Sequence, residues 1–253
     1  MKKTNNSTPI IKDAKYYQEE ILQLFNQKSG IYSKTELFND WLEWNFFTLE
    51  AMKGFYIDEF KETAHRLLKK YSKEDFDDFQ KINSIFEEGI TTTQEDILGV
   101  IFMEMQPNKK LKQYFTPTFL CDLIVSFNER TPKKIQQEIN EKGFFTVADP
   151  TCGGGALLIA YYRYAKRNGI DTDKIVFYGT DIDRRCAMMT MLQLEYLGML
   201  GLIQWGDTLT RKIQGQYLTT KLYLNQRGEM EFIKNTISYH SMINKIFEET
   251  KKK

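Results

Sequence analysis

The chain is 253 residues long, 42% hydrophobic and almost neutral, with 35 basic side chains against 34 acidic ones. That length and apolar content allow one large domain or a helical domain followed by a compact α/β one, and they exclude collagen-like, disordered and disulfide-stapled classes. Balanced charge removes the global positive field that would by itself point to nucleic acid, so any DNA contact has to be a local patch.

Residues 1–20 place two lysines ahead of a polar stretch with no apolar core of the length a leader needs, and no later stretch is apolar enough for a membrane span. The expected location is the cytoplasm, with no membrane contact. Residues 13–90 are rich in lysine, glutamate and phenylalanine, and Leu37, Trp41, Trp44 and Phe47 recur at helical spacing. A second helix is predicted between Ser72, a suitable N-cap, and Gly89, a suitable stop. Ile97, Val100, Ile101 and Met105 continue the rhythm as a buried helix face.

In "KQYFTPTFLCDLIVSF" a turn leads to Thr116 as N-cap and Pro117 at the first helical position, with Leu120, Leu123, Ile124 and Phe127 forming one apolar stripe. Cys121, Cys152 and Cys186 are more than 30 residues apart and form no CxxC pair. They read as thiols in a reducing compartment rather than as a disulfide framework or a zinc site, and no metal is expected. After the polar stretch "TPKKIQQEINEKG" the pattern changes: residues 144–148, 175–178 and 202–205 are short apolar or β-branched runs separated by helical patterns. That alternation argues for βαβ units and a parallel sheet. Asn168-Gly169 and Gly198 mark the ends of the two crossover helices. Beyond residue 210 a hairpin turned at Gln226-Arg227-Gly228 and a final helix are expected.

The first strand runs into "DPTCGGGALL". Gly153, Gly154 and Gly155 remove every Cβ from the turn, so a ligand can approach the backbone amides at the start of the next helix. A dinucleotide GxGxxG is not met, because its last position falls on Leu158. The second strand ends on Asp181, 26 residues after Gly155, where a carboxylate can accept hydrogen bonds from ribose hydroxyls. The third ends on Asp207, at the same edge of an open α/β sheet, which is where such sheets bind ligands. Neither His65 nor His240 belongs to a constellation suited to general-base work.

With these segments in order, "FNDWLEW", "DILGVIFMEM", "KQYFTP", "DPTCGGGALL", "GTDIDRRCAMMTMLQLEYLGM" and "GDTLT", the chain resembles the adenine-N6 DNA methyltransferases of the type I modification-subunit group. It resembles more closely the short N-6 DNA methylase proteins of phages, plasmids and conjugative elements. The resemblance spans roughly residues 36–220. It implies an α/β fold: an α-helical N-terminal domain, residues 1–112, then a truncated Rossmann-like S-adenosylmethionine-dependent methyltransferase core, residues 113–253. The implied cofactor is S-adenosylmethionine. Tyr114, Phe115, Thr116 and Pro117 correspond to the segment that closes over its methionine end, with Lys112 standing where the family has glycine. Asp149, Thr151 and Gly153 to Gly155 correspond to the turn beneath it. Asp181 corresponds to the ribose acceptor, Ile182 to the neighbour of the adenine, and Asp207 to the acid that reaches the adenine amino group. Restriction-modification chemistry implies DNA as a partner, together with a second protein subunit or a homodimer.

Adenine methylation in this family also uses an Asn-Pro-Pro-aromatic motif one strand after Asp207, to accept the amino hydrogens and hold a flipped base in line. The fifth and last proline is Pro150, and 46 residues follow Asp207. Two readings stay open. In one the chain is a methyltransferase, or part of one, whose catalytic residues are replaced or supplied by a partner, with Asn225 the one candidate near a late strand. In the other it is a non-catalytic accessory, regulatory or anti-restriction protein of a mobile element that keeps the fold. Methylation of something smaller than DNA is a third.

Overall fold

Helix-spaced aromatics become helices throughout the first hundred residues of the computed structural model, which describes residues 12–106, 116–127 and 130–227 together with Met242 and Ile246. They are α1 (Ala14–Gln27), α2 (Lys34–Met52), α3 (Ile57–Lys70), α4 (Lys73–Thr93) and α5 (Leu98–Met105). Leu37, Trp41 and Phe47 are buried on α2, and Trp44 is partly buried against Phe60 and Phe76. Ser72 caps α4 as expected and does so reciprocally: its hydroxyl accepts from the Asp75 N–H, and the Asp75 carboxylate accepts from the Ser72 N–H. Lys28 adds an ion pair to that carboxylate at 2.8 Å. Although burial opposes it, these hydrogen bonds bring the Asp75 carboxyl down to about 2.

Gly89 does not stop α4. The helix runs on to Thr93 and ends at Gln94 in the left-handed region, φ 54°. A Cβ at Gly89 would lie 2.8 Å from the Tyr17 ring of α1, so this glycine serves the close approach of two helices.

The second part alternates as expected. α6 (Thr118–Ser126) and α7 (Pro132–Lys142) precede β1 (Phe145–Asp149), α8 (Ala156–Arg167), a 3-10 turn (Thr172–Lys174), β2 (Ile175–Asp181), α9 (Arg184–Tyr196), β3 (Leu200–Asp207), β4 (Lys212–Leu218) and α10 (Thr220–Arg227). Thr116 is not the cap of α6; Pro117 flanks the helix in an extended conformation and Thr118 is its first residue. The polar stretch before β1 is itself helical, with Thr131 accepting from the Lys134 N–H and Gly143 ending it at φ 85°. Only Ile135 and Ile139 anchor it to the core. Asn168 and Gly169 close α8, and Gly198 follows the end of α9, both glycines at positive φ.

The sheet order is β1-β2-β3-β4, with β1, β2 and β3 parallel and β4 antiparallel to β3. The expected hairpin at residues 226–228 does not form where those residues are described. Instead β4 folds back on β3 through the turn at 208–211, and α10 takes residues 220–227. Thr219 sets that change of direction: its N–H donates to the Gly201 carbonyl and its hydroxyl to Met199 O, which ends the strand at the amino end of β3. Leu222 and Tyr223 then turn inward. The hairpin's second strand and the final helix lie outside the described residues apart from Met242 and Ile246.

One buried cluster runs from α1 through the sheet without a break. Phe46 of α2 meets Tyr217 of β4 edge-on at 4.6 Å, and Phe86 of α4 meets Tyr196 of α9 at 5.2 Å. The expected domain boundary at residue 112 lies outside the described residues. The result is a helix-rich α/β protein with a small, mostly parallel, Rossmann-like sheet truncated to four strands among the described residues. Its order β3-β2-β1 is that of one half of a doubly wound sheet.

Candidate functional site

Three parallel strands end side by side, and each ends on an aspartate. Asp149 closes β1 and is buried, its Oδ1 accepting from the Thr151 N–H at 3.0 Å. Burial pushes its carboxyl above the ordinary 3.8, and the negative charge of Asp181 adds to the effect. Asp181 closes β2; its Oδ2 accepts from the Gly153 N–H at 2.9 Å and its Oδ1 from the Asp183 N–H at 2.9 Å. Each carboxylate oxygen keeps a lone pair for a further donor. Asp207 closes β3 and accepts from the Leu209 and Thr210 N–H groups; hydrogen bonding from Thr210 holds its carboxyl below the ordinary 3.8. The adjacent Thr208 hydroxyl donates to Pro150 O at 2.6 Å, tying the end of β3 to the turn after β1.

That turn needs its glycines for separate reasons. Gly153 and Gly155 have φ of 55° and 94°, the left-handed region that other residues enter only under strain. Gly154 is excluded from growth by its surroundings: a Cβ there would lie 3.0 Å from both Asp96 carboxylate oxygens and 3.2 Å from the Gly99 Cα. Gly155 is also the N-cap of α8, so the turn presents a helix amino end to the strand-end acids.

Behind the turn stand residues that motif reading passed over. Thr190 of α9 donates to Gly153 O at 2.8 Å. Gln193, one turn further on and fully buried, donates through Nε2 to Gly154 O and to Asp96 Oδ1, and accepts through Oε1 from the Ile97 and Leu98 N–H groups. The start of α5, the glycine turn and α9 therefore share one amide. A signal existed in the sequence, since Gln193 interrupts an otherwise apolar helix face in "MMTMLQLEYL".

Ile182 is 65% exposed beside Asp181, and its carbonyl accepts from the Trp205 Nε1–H at 3.2 Å. The Arg184 guanidinium lies over both Trp205 and Phe47, at 4.9 and 5.1 Å from the ring centroids. Thr151 is exposed on the turn; Thr116 and Pro117 are exposed at the start of α6, which packs on α8 and is held there by an ion pair between Asp122 and Arg163. Tyr114, Phe115 and Lys112 lie outside the described residues. Asn225 is exposed on α10, which begins at the amino end of β3, the end opposite the three aspartates. The structure thus brings together Asp149, Thr151, Gly153 to Gly155, Asp181, Ile182 and Asp207, and leaves Asn225 apart. Cys121, Cys152 and Cys186 are all buried, and burial raises the Cys152 thiol to about 12, which leaves it without thiolate character.

Comparison with known proteins adds three findings. The chain is 27% identical over 142 residues to the type I restriction enzyme MjaIX methylase subunit of Methanocaldococcus jannaschii, a stretch that covers 56% of this chain but 22% of that protein. A solved structure from Listeria monocytogenes, described as a class I S-adenosylmethionine-dependent methyltransferase, overlaps 88% of this chain and 70% of its own, at 13% identity and a TM-score of 0.41, too distant to bear on the reading. The family model for N-6 DNA Methylase matches residues 93–236, which take in α5, the glycine turn and all three strand-end aspartates. With more than half of its length so matched, the chain belongs to the N-6 DNA methylase family.

Proposed function

We propose that the chain binds S-adenosylmethionine at the carboxyl edge of β1, β2 and β3 as a module of DNA modification. One observation carries the reading: Asp149 and Asp181 stand at neighbouring strand ends beside a turn without side chains, and neither forms an ion pair among the described residues. Two close carboxylates without a cation suit a ligand that brings its own positive charge together with hydroxyl donors. A sulfonium and its ammonium group lie toward Asp149 and the glycine turn, the ribose hydroxyls toward the remaining lone pairs of Asp181, and the adenine beside Ile182 with its amino group toward Asp207. When bound, the cofactor supplies an activated methyl group. The protein's own part is to hold it: Thr190 and Gln193 fix the turn, and Thr208 fixes the end of β3 against it.

The relative's name as a methylase subunit supports DNA and a second protein subunit as partners, and the family's chemistry supports the adenine amino group as the methyl acceptor. The arrangement also fits the cytoplasm and a helical unit over residues 1–112 serving the core in residues 113–253. Because Asn225 stands away from the strand-end aspartates, binding without unaided transfer is the preferred reading, an accessory or subunit role rather than a self-sufficient enzyme. Calorimetric titration with S-adenosylmethionine tests the cofactor: saturable binding that Asp181→Ala abolishes is expected, and absence of binding by the wild type would sink it. Incubation of the purified chain with labelled S-adenosylmethionine and adenine-containing DNA tests the role. Transfer of label would make the chain an enzyme on its own.

A further inference from the structure

β1 occupies an edge although its glycine turn belongs to the strand at which a doubly wound sheet reverses order. It pairs with β2 on one side, and no strand lies on the other among the described residues. No backbone hydrogen bond from Phe145, Thr146, Val147, Ala148 or Asp149 crosses that outer side. Such an edge is a ready template for another strand.

The opposite edge of the sheet is closed. The Tyr56 hydroxyl donates to Gln216 O at 3.2 Å and accepts from the Gln216 N–H at 3.3 Å, and the Lys53 ammonium donates to Leu218 O. The outer backbone groups of β4 at these positions are already used by side chains.

Beside the open edge the surface is apolar. A groove of about 350 Å³ runs along β1 between Ile124 and Val125 of α6 and Leu157 and Tyr161 of α8. α6 continues it outward: Phe119 and Phe127 are 74% and 75% exposed, and Leu123 and Ile124 are 47% and 48% exposed. The apolar stripe of this helix therefore faces solvent, while Cys121 and Val125 alone are buried. Single exposed apolar side chains are ordinary, whereas a contiguous row beside an open strand marks an interface.

We propose that this face joins two copies of the chain, β1 pairing antiparallel with β1 of the second copy and the two α6 stripes covering the paired grooves. Because β4 is closed, strand pairing between copies runs only through β1. A β1–β1 contact is isologous and ends at two, where a β1–β4 contact would propagate into fibres. Centred on Val147, it sets Thr146 against Ala148 of the second copy and opposes no like charges. The area suffices: the exposed α6 side chains, the groove and the strand together come to on the order of 800 Å² per copy, the size of a stable interface. The two glycine turns then lie at opposite ends of the paired strands, and the contact does not depend on the cofactor reading.

Sedimentation of the full chain tests it, with an expected mass of twice 29.9 kDa. Phe119→Glu with Leu123→Glu, at exposed positions that leave the fold intact by circular dichroism, is expected to sediment as a monomer. Register is read separately. Under mild oxidation the Thr146→Cys, Ala148→Cys double variant is expected to link two chains on a non-reducing gel, and neither single variant to do so, the native cysteines being buried. A monomeric wild type, an assembly larger than two, a dimer that survives both glutamates, or linking by a single variant would each overturn the proposal. So would a chain that stays monomeric and associates only with a different protein.

Discussion

Gln193 has a buried hydrogen-bond partner on every side, and Leu has nearly its volume without its polar atoms. Gln193→Leu strands the Asp96 carboxylate, the Gly154 carbonyl and two amides at once, a loss of about 2–4 kcal/mol of stability in thermal denaturation. S-adenosylmethionine affinity is expected to fall at least about tenfold below that of the wild type, as the turn loses the brace that shapes it. Asp149 gives the site a pH dependence of definite sign. Its carboxyl is raised by burial and by Asp181, and a cation prefers the ionised form, so binding lowers that pKa. Affinity is therefore full above the raised value and falls as pH drops through it. Titration in buffers of different ionisation enthalpy should show protons released on binding at acid pH, and proton uptake would contradict the assignment.

Among the elements, α4 shows how tertiary contact overrides propensity. Gly→Ala inside an exposed helix ordinarily stabilises by about 1 kcal/mol. At Gly89 the new methyl would meet the Tyr17 ring at 2.8 Å, so Gly89→Ala is expected to destabilise by about 1–3 kcal/mol, measured as a fall in the urea midpoint. In the sequence the same glycine reads as a stop, because a position after a run of helical periodicity has the same composition whether the helix ends or another helix presses on it. α7 was hidden for the opposite reason: Ile135 and Ile139 are its only buried residues, too few for a periodic signal in a polar stretch. α10 was hidden by alternation that fits a strand equally well until Thr219 ends β4.

Across the whole molecule, the helical part and the sheet meet through a fully buried ion pair. Lys53 donates to Glu50 at 2.6 Å and also reaches Leu218 O on β4. Burial raises the Glu50 carboxyl and Lys53 opposes that rise. Lys53→Met leaves the carboxylate buried without its cation and is expected to cost about 3–5 kcal/mol near neutral pH. As pH falls, Glu50 takes up a proton and the deficit should shrink, so the variant's melting temperature is expected to approach that of the wild type under acid conditions. A deficit independent of pH would point to lost packing instead.

Local chemistry was enough to determine much of this protein. Periodicity located α2, α4 and α5, alternation of β and α runs located β1, β2 and β3, and the glycine turn with Asp149, Asp181 and Asp207 named the strand ends that the fold sets side by side. Each of these is written in consecutive residues, so neighbours in sequence suffice to read it. Only the tertiary structure decided the rest. Gln193 touches residues almost a hundred positions away, Gly89 answers to Tyr17, and Lys53 answers to a carbonyl 165 residues on. The stripe on α6 has the same sequence whether it is covered or bare. That it faces solvent beside an open strand depends on which elements pack against which, and periodicity within one helix carries no record of its neighbours.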